Sequence, residues 1–327
     1  MLRVISYLLQ AITAVALLCA FGSRAKIHTH ENVEAAAPAP AFAGFRTAAM
    51  RWIDDDWDWG WGWSMPVHDE ESIHKTWAVA AVSGSRVIEV DNVSGSIEVT
   101  GGDGDEVRMD VDKTLRAESD SALDRARKEV TLDISQDPGM LKMYVKDPTR
   151  CDGPGCWSFG HEPYFVEINF RLVVPRNSDL TLKSVNGRGI RVRDVTGRFS
   201  LRNVNGEIVM DDVSGSGTAH TVNGRVEAKF RQSPRENCDF GSVNGAIDLY
   251  FPSNLSADFE FHTFSGSVSS DFPFAARPMN ASEEHHGAVT IYRSNRLNGG
   301  RVGAGGPVIR AETLNGAIRV AESHDHE

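Results

Sequence analysis

The sequence predicts an all-β chain. Its expected form is a parallel β-helix, or solenoid, with two strand units per 18–21-residue coil and one short helix inserted near 119–128. Three observations predict this. A Val-Asn-Gly phrase or close variant recurs at Val185-Asn186-Gly187, Val195-Thr196-Gly197, Val204-Asn205-Gly206, Val213-Ser214-Gly215, Val222-Asn223-Gly224 and Val243-Asn244-Gly245. The glycines from Gly187 to Gly224 are spaced 10, 9, 9 and 9 residues apart, and the steps to Gly245 and Gly266 are both 21. The apolar residues keep fixed offsets from each glycine: Phe199, Leu201 and Val204 after Gly197, then Ile208, Met210 and Val213 after Gly206. The second and fourth residues after glycine share one strand face, whereas the seventh has the opposite parity.

That parity break separates two folds. Asn-Gly also signals hairpins, but an antiparallel meander would point every seventh residue outward. In a solenoid the chain turns a corner at the polar pairs Arg202-Asn203 and Asp211-Asp212, and the following valine is expected to face inward again. The middle residue of the phrase alternates: Asn186, Thr196, Asn205, Ser214, Asn223. Two units therefore make one coil, with Asn at one corner. Coils stacked ~4.8 Å apart would align Asn186, Asn205, Asn223 and Asn244 as an amide ladder, each satisfying the next. The glycine after each Asn permits a positive φ.

Taken from the N-terminus, Arg3 precedes an uncharged apolar run from Val4 to Phe21. Ser23-Arg24-Ala25 then places small residues around a cleavage point after Ala25, so residues 1–25 read as a secretory signal. An uncleaved anchor is the competing reading, because the run approaches the ~18 residues of a membrane span. Membrane contact is expected only through this segment if it is kept. Either way the rest is exported, to the periplasm, the cell envelope or the cell surface. Removing residues 1–25 takes Arg3, Arg24 and no acid, so the net charge of −11 becomes −13. Such acidity argues against nucleic acid as a partner.

Residues 26–72 read as a disordered linker, with an Ala/Pro tract at 35–40 and five of the seven tryptophans between Trp52 and Trp63. That segment either docks on a partner or folds back on its own domain. The β-repeat domain is expected over 73–323, with a tail at 324–327. Arg86 to Thr100 alternates apolar and polar residues, and Tyr164 to Pro175 does so again. Ser119 or Asp120 caps a helix carrying Leu123 and Ala126. Val130–Ile134 and Met140–Val145 flank the turn Asp137-Pro138-Gly139. Cys151-Asp-Gly-Pro-Gly-Cys156 is a loop suited to a small disulfide in an oxidising compartment, and Cys238 is expected buried or as a lone thiol.

These features together resemble the bacterial β-strand-repeat proteins known as candidate adhesins, a large family of unknown function. The resemblance spans about His74 to Ser323. It rests on the opening Ser94–Gly101 phrase, the short charged helix, the Val-Asn-Gly repeats and a closing unit through Thr313-Leu314-Asn315-Gly316-Ala317-Ile318. It implies a right-handed β-helix-like fold and no established activity. The Trp/Asp segment and the Cys151–Cys156 loop depart from the family pattern.

Residues 181–232 hold nine basic and five acidic side chains. Arg188, Arg191, Arg193, Arg198 and Arg202 are candidates for a face that engages an anionic ligand. The simpler reading is a charge ladder, with Arg188, Glu207 and Arg225 stacking as +, −, +. Calcium as a structural ion is excluded because the equivalent loop residues are Arg, Glu and Ser rather than aspartates. Histidines at 285, 286, 324 and 326 read as solvated. No nucleotide-binding, nucleophile-elbow or zincin motif occurs, and no cofactor, metal site or catalytic residue is expected. The expected function is a non-enzymatic envelope scaffold or adhesion-like binding module, whose partner is an envelope glycan or another envelope protein. The alternatives are a polysaccharide-processing enzyme using Asp211 and Asp212, or a partner subunit of an envelope-stress system.

Overall fold

The computed structural model of the chain describes residues 65–78, 86–148, 163–276, 282–286, 289–293 and 298–323. Ala25, the tryptophans from Trp52 to Trp63, and Cys151 and Cys156 lie outside the described residues. The opening strands are β1 (Val67–Ala78), β2 (Arg86–Asp91), β3 (Ser94–Gly102) and β4 (Glu106–Ala117). Helix α1 (Asp120–Glu129) follows, then β5 (Thr131–Asp137), β6 (Met140–Lys146) and β7 (Tyr164–Pro175). Ser119 caps α1 by accepting from the Ala122 backbone N–H, and Arg127 and Lys128 in its last turn oppose the helix dipole. Ala122, Leu123 and Ala126 are its buried side chains.

β1 corrects the expected boundary at 72/73, since the strand starts at Val67 inside the supposed linker. Charged residues mask its period. Val67, Asp69, Ile73 and Trp77 are its half-buried positions, and only three of these are apolar. β1 pairs antiparallel with β4, and β4 antiparallel with β7. β7 then runs parallel to β3. This stretch is a mixed-sheet insertion rather than further coil.

The repeats form β8 (Ser178–Lys183), β9 (Asn186–Arg193), β10 (Phe199–Arg202), β11 (Ile208–Val213), β12 (Gly217–Asn223), β13 (Val226–Phe230), β14 (Cys238–Asn244) and β15 (Ile247–Phe251). Even-numbered strands pair in parallel with even ones, and odd with odd. The chain thus alternates between two sheets of ten and eleven strands. The remaining strands are β16 (Ala257–Ser265), β17 (Val268–Ser270), β18 (Ala275–Ala276), β19 (Ser282–His286), β20 (Val289–Arg293), β21 (Asn298–Val302), β22 (Val308–Asn315) and β23 (Ile318–Glu322).

Stacking order departs from sequence order here. β14 pairs with β22, and β22 with β16; β15 pairs with β23, and β23 with β17. The last unit of the chain is inserted between the coil that ends at Phe251 and the coil that follows it in sequence. Glycine spacing alone placed Gly266 after Gly245; Gly316 occupies that rung instead. The inserted unit brings apolar residues where the neighbouring coils need them. Ile247, Ile318 and Val268 share one register column, as do Phe240, Ala311 and Phe261.

The interior is one apolar cluster running the length of the repeats. Ile190, Ile208, Val226, Ile247 and Ile318 are fully or almost fully buried along one sheet. Each such side chain contributes about 1.5–3 kcal/mol by leaving water. Phe240 lies between Ala219 and Ala311 in its register column. Phe230 stacks on Phe251 at 4.9 Å and meets Phe240 edge-on at 6.1 Å. Among the described residues no helix is long and apolar enough to cross a membrane.

Candidate functional site

The even-to-odd corner carries the asparagines. Parallel pairing holds Asn186, Asn205 and Asn223 in register, and Asn244 and Asn315 continue the column. Asn205 Nδ2 donates to Asn186 Oδ1 at 2.7 Å, and Asn223 to Asn205 at 2.8 Å. Asn244 donates to Asn223 and Asn315 to Asn244, both at 2.9 Å. Asn315 is a fifth member that the nine-residue period does not predict, because only the inserted last unit places it there. All five side chains are exposed. Each amide has two donors and two acceptor lone pairs, and the ladder uses at most one donor and one lone pair per residue.

The glycines after these asparagines serve two purposes. Gly187 and Gly206 have positive φ, as the turn reading required. Gly224, Gly245, Gly316 and Gly266 do not; they are needed because the neighbouring coil passes too close for a side chain. A Cβ on Gly245 would lie 1.9 Å from the Gly224 carbonyl oxygen, and one on Gly316 would lie 2.0 Å from that of Gly245.

The expectation that every corner valine faces inward holds at one corner only. Val195 and Val213, on the Thr/Ser corner, are buried. On the Asn corner the residue before the valine takes the interior position: Ser184, Asn203, Thr221, Ser242 and Thr313 are all buried. Thr221 donates to Gly206 O, Ser242 to Gly224 O and Thr313 to Gly245 O, at 2.9–3.0 Å. These hydroxyls satisfy carbonyls that the turn leaves without a strand partner. The valine is thereby pushed outward. Val185 is 38%, Leu314 40% and Phe264 82% exposed, with Val204, Val222 and Val243 half-buried between them. The corner therefore presents an apolar row beside an amide row, with no charge in either. The alternation of Ser/Thr/Asn before Val on this corner was the signal that sequence reasoning missed.

The five candidate arginines do not form one face. Arg191 and Arg193 lie on the ten-stranded sheet, Arg202 on the eleven-stranded sheet, and Arg198 just before β10. Arg191 pairs with Glu207 at 2.8 Å, Arg193 with Asp211 at 3.5 Å and Arg198 with Asp179 at 3.3 Å. Arg188 does not stack on Glu207. Three residues separate Asn186 from Ile190, against two between Asn205 and Ile208, so Gly189 lies beside Glu207 and Arg188 is the extra residue. Arg225 takes Asp248 at 2.7 Å and Glu227 at 3.0 Å. The +, −, + ladder is thus replaced by diagonal pairs. A depression of about 290 Å³ between Arg191 and Arg193 is also lined by Glu98 and Asp211, which balance its charge.

The acidic corner is closed by arginine. Asp194 and Asp212 both adopt φ of 57°, a left-handed conformation that Asp tolerates better than most residues. Arg231 bonds both carboxylates, and Arg176 joins Asp194 to Asp103. Burial alone would raise the Asp194 pKa, but hydrogen bonds from Arg231 and Arg176 outweigh it and hold the carboxyl below its ordinary range. Asp211 lies within 4.0 Å of both Arg193 and Lys229. On the other sheet, burial lowers the His220 pKa and raises that of Glu312; the Asp239 charge opposes the first effect and adds to the second. Cys238 is buried, which pushes its thiol to about 11. Among the described residues no group of three His, Cys, Asp or Glu side chains is placed to hold a metal ion.

Comparison with known proteins adds the following. The profile described as Toastrack DUF4097 matches residues 87–298. No curated protein matches the chain. A crystal structure described as a candidate cell adhesion protein from Clostridium sporogenes is 9% identical, covering 78% of this chain and 100% of its own, with a TM-score of 0.37. A candidate adhesin from Bacteroides fragilis is 10% identical, covering 77% and 97%, with a TM-score of 0.29. A candidate lipid binding protein from Parabacteroides distasonis is 8% identical, covering 77% and 97%, with a TM-score of 0.23.

Proposed function

The chain belongs to the Toastrack DUF4097 family, and on that premise we propose that it is an exported, non-enzymatic binding module of the cell envelope. Its Asn corner lies against an extended envelope polysaccharide. The observation that carries this reading is the uncharged double row: five exposed amides in a hydrogen-bonded ladder beside an apolar ridge that ends at Phe264. The ladder is rigid because its spacing is that of parallel strands, ~4.8 Å. Amide donors and acceptors left over at each rung suit hydroxyl groups, and the ridge suits the apolar faces of sugar rings. A rigid site loses little conformational entropy on binding.

Export is supported by the N-terminal pattern of Arg3, Val4 to Phe21 and Ala25. The coil is read as right-handed, because parallel strands joined across a second layer almost always connect that way. Affinity electrophoresis of the exported chain through gels containing neutral envelope polysaccharide tests the reading. Retention is expected, should be insensitive to salt, and should fall with Phe264→Ala or Val222→Lys. The polysaccharide should keep its length after incubation. Migration identical with and without polysaccharide overturns the assignment, and shortened chains would make the protein an enzyme.

A further inference from the structure

The ten-stranded sheet ends at β1. All 12 of its residues pair with β4 on one side, and among the described residues no strand pairs with the other. A long open edge is a template for another strand. We propose that two copies of this chain join through β1, antiparallel, with Ser72 of each copy opposite Ser72 of the other.

The charge pattern of the strand selects this partner. Asp69, Glu70 and Glu71 follow His68 in one half, and His74 and Lys75 occupy the other. Asp69 is bonded within its own chain by Arg127 at 2.9 Å and Glu71 lies 3.9 Å from Lys113, whereas Glu70 faces outward. A symmetric antiparallel pair must keep inner residues opposite inner ones and outer opposite outer. Centring it on Ser72 meets that condition. It sets Glu70 against His74 on the outer face, and Asp69 against Lys75, Glu71 against Ile73 and Val67 against Trp77 on the inner face. In a parallel, in-register pair each acid would meet its own copy. Opposite charges facing each other across strands attract, and like charges repel.

The sheet itself points to the same partner. Across the outer face one register row reads His74, Asp110, Arg171, Glu98, Arg191. Inward of His74 the signs alternate along the row, through Asp110, Arg171, Glu98 and Arg191. Its last link is the 2.6 Å contact between His74 Nδ1 and Asp110 Oδ1. The next position outward faces His74, and Glu70 of a second copy brings a carboxylate there. The edge is therefore complementary to itself, a feature absent from edges guarded by charge of one sign.

Sedimentation of the full exported chain tests this. A reversible dimer is expected. Glu70→Lys should weaken it about tenfold, since two contacts per dimer change sign. Adding His74→Glu to that variant should restore it. Ser72→Cys should give a cross-linked dimer under mild oxidation, because directly opposed cysteines meet disulfide geometry. Unchanged thermal melting shows that the variants remain folded. A wild-type chain that stays monomeric at high micromolar concentration overturns the proposal. So does a dimer that Glu70→Lys leaves intact and Ser72→Cys fails to trap.

Discussion

Asn315 donates its side-chain amide to Asn244 at 2.9 Å, although 71 residues separate the two. Ser265, only 21 residues after Asn244, lies one rung further on, opposite Asn315. The order of coils in the stack is therefore not the order of the chain.

That inversion makes the C-terminus central to stability. Deleting residues 308–323 removes the rung between β14/β15 and β16/β17 and leaves β16 and β17 without parallel partners. Hydrogen exchange should show loss of protection across 257–270 as well as in β14 and β15. Loss confined to the deleted segment would contradict the inserted order.

The ladder should contribute to folding. Asn223 lies in its interior and makes two amide bonds, to Asn205 and from Asn244. Asn223→Ala should cost about 1–2 kcal/mol in urea unfolding. Asn223→Asp should cost a similar amount, because a carboxylate cannot donate to Asn205.

Glycine at the corner should be far less replaceable than glycine in an open turn. Gly245→Ala places a methyl group 1.9 Å from a backbone oxygen, whereas the nearest atom to a Cβ on Gly104 is 3.9 Å away. Gly245→Ala should destabilise by more than about 3 kcal/mol, and Gly104→Ala by less than about 0.5 kcal/mol. Thermal melts of the two variants make the comparison.

Stability should fall in acid through the Asp194 corner. Its carboxyl titrates lower in the folded than in the unfolded chain, because Arg231 and Arg176 outweigh the effect of burial. The unfolded state therefore takes up protons first, and the contribution present above about pH 4 is lost as pH falls through the folded value. Asp194→Asn keeps a residue that tolerates the left-handed backbone. Its denaturation midpoint should depend less steeply on pH below about 4 than that of the wild type.

Much of the fold was legible residue by residue. Tyr164 to Pro175 was read as a strand from its alternation and is β7. The sequence offers Ser119 or Asp120 as a helix cap, and Ser119 is the one that accepts from Ala122. The four asparagines read as a ladder from their period are joined amide to amide. β1 was missed because an edge strand buries one face only partly, so Asp69 and Glu71 can stand where a central strand needs apolar residues. The arginine face failed for a different reason. Linear proximity from Arg188 to Arg202 spans a corner, and the corner sends them to different sheets.

Local chemistry is written in the order of residues. The nine-residue period, the glycines at the turns and the small polar residues beneath Val222 and Leu314 are enough to specify a parallel coil with an asparagine edge. Which coil lies against which is a long-range choice. The rungs at Asn244, Asn315 and Ser265 have similar apolar faces and could stack in either order on pattern alone. Only the tertiary structure decides it, by pairing β23 between β15 and β17 and β22 between β14 and β16, and with that order come the fifth asparagine and the exposure of Phe264.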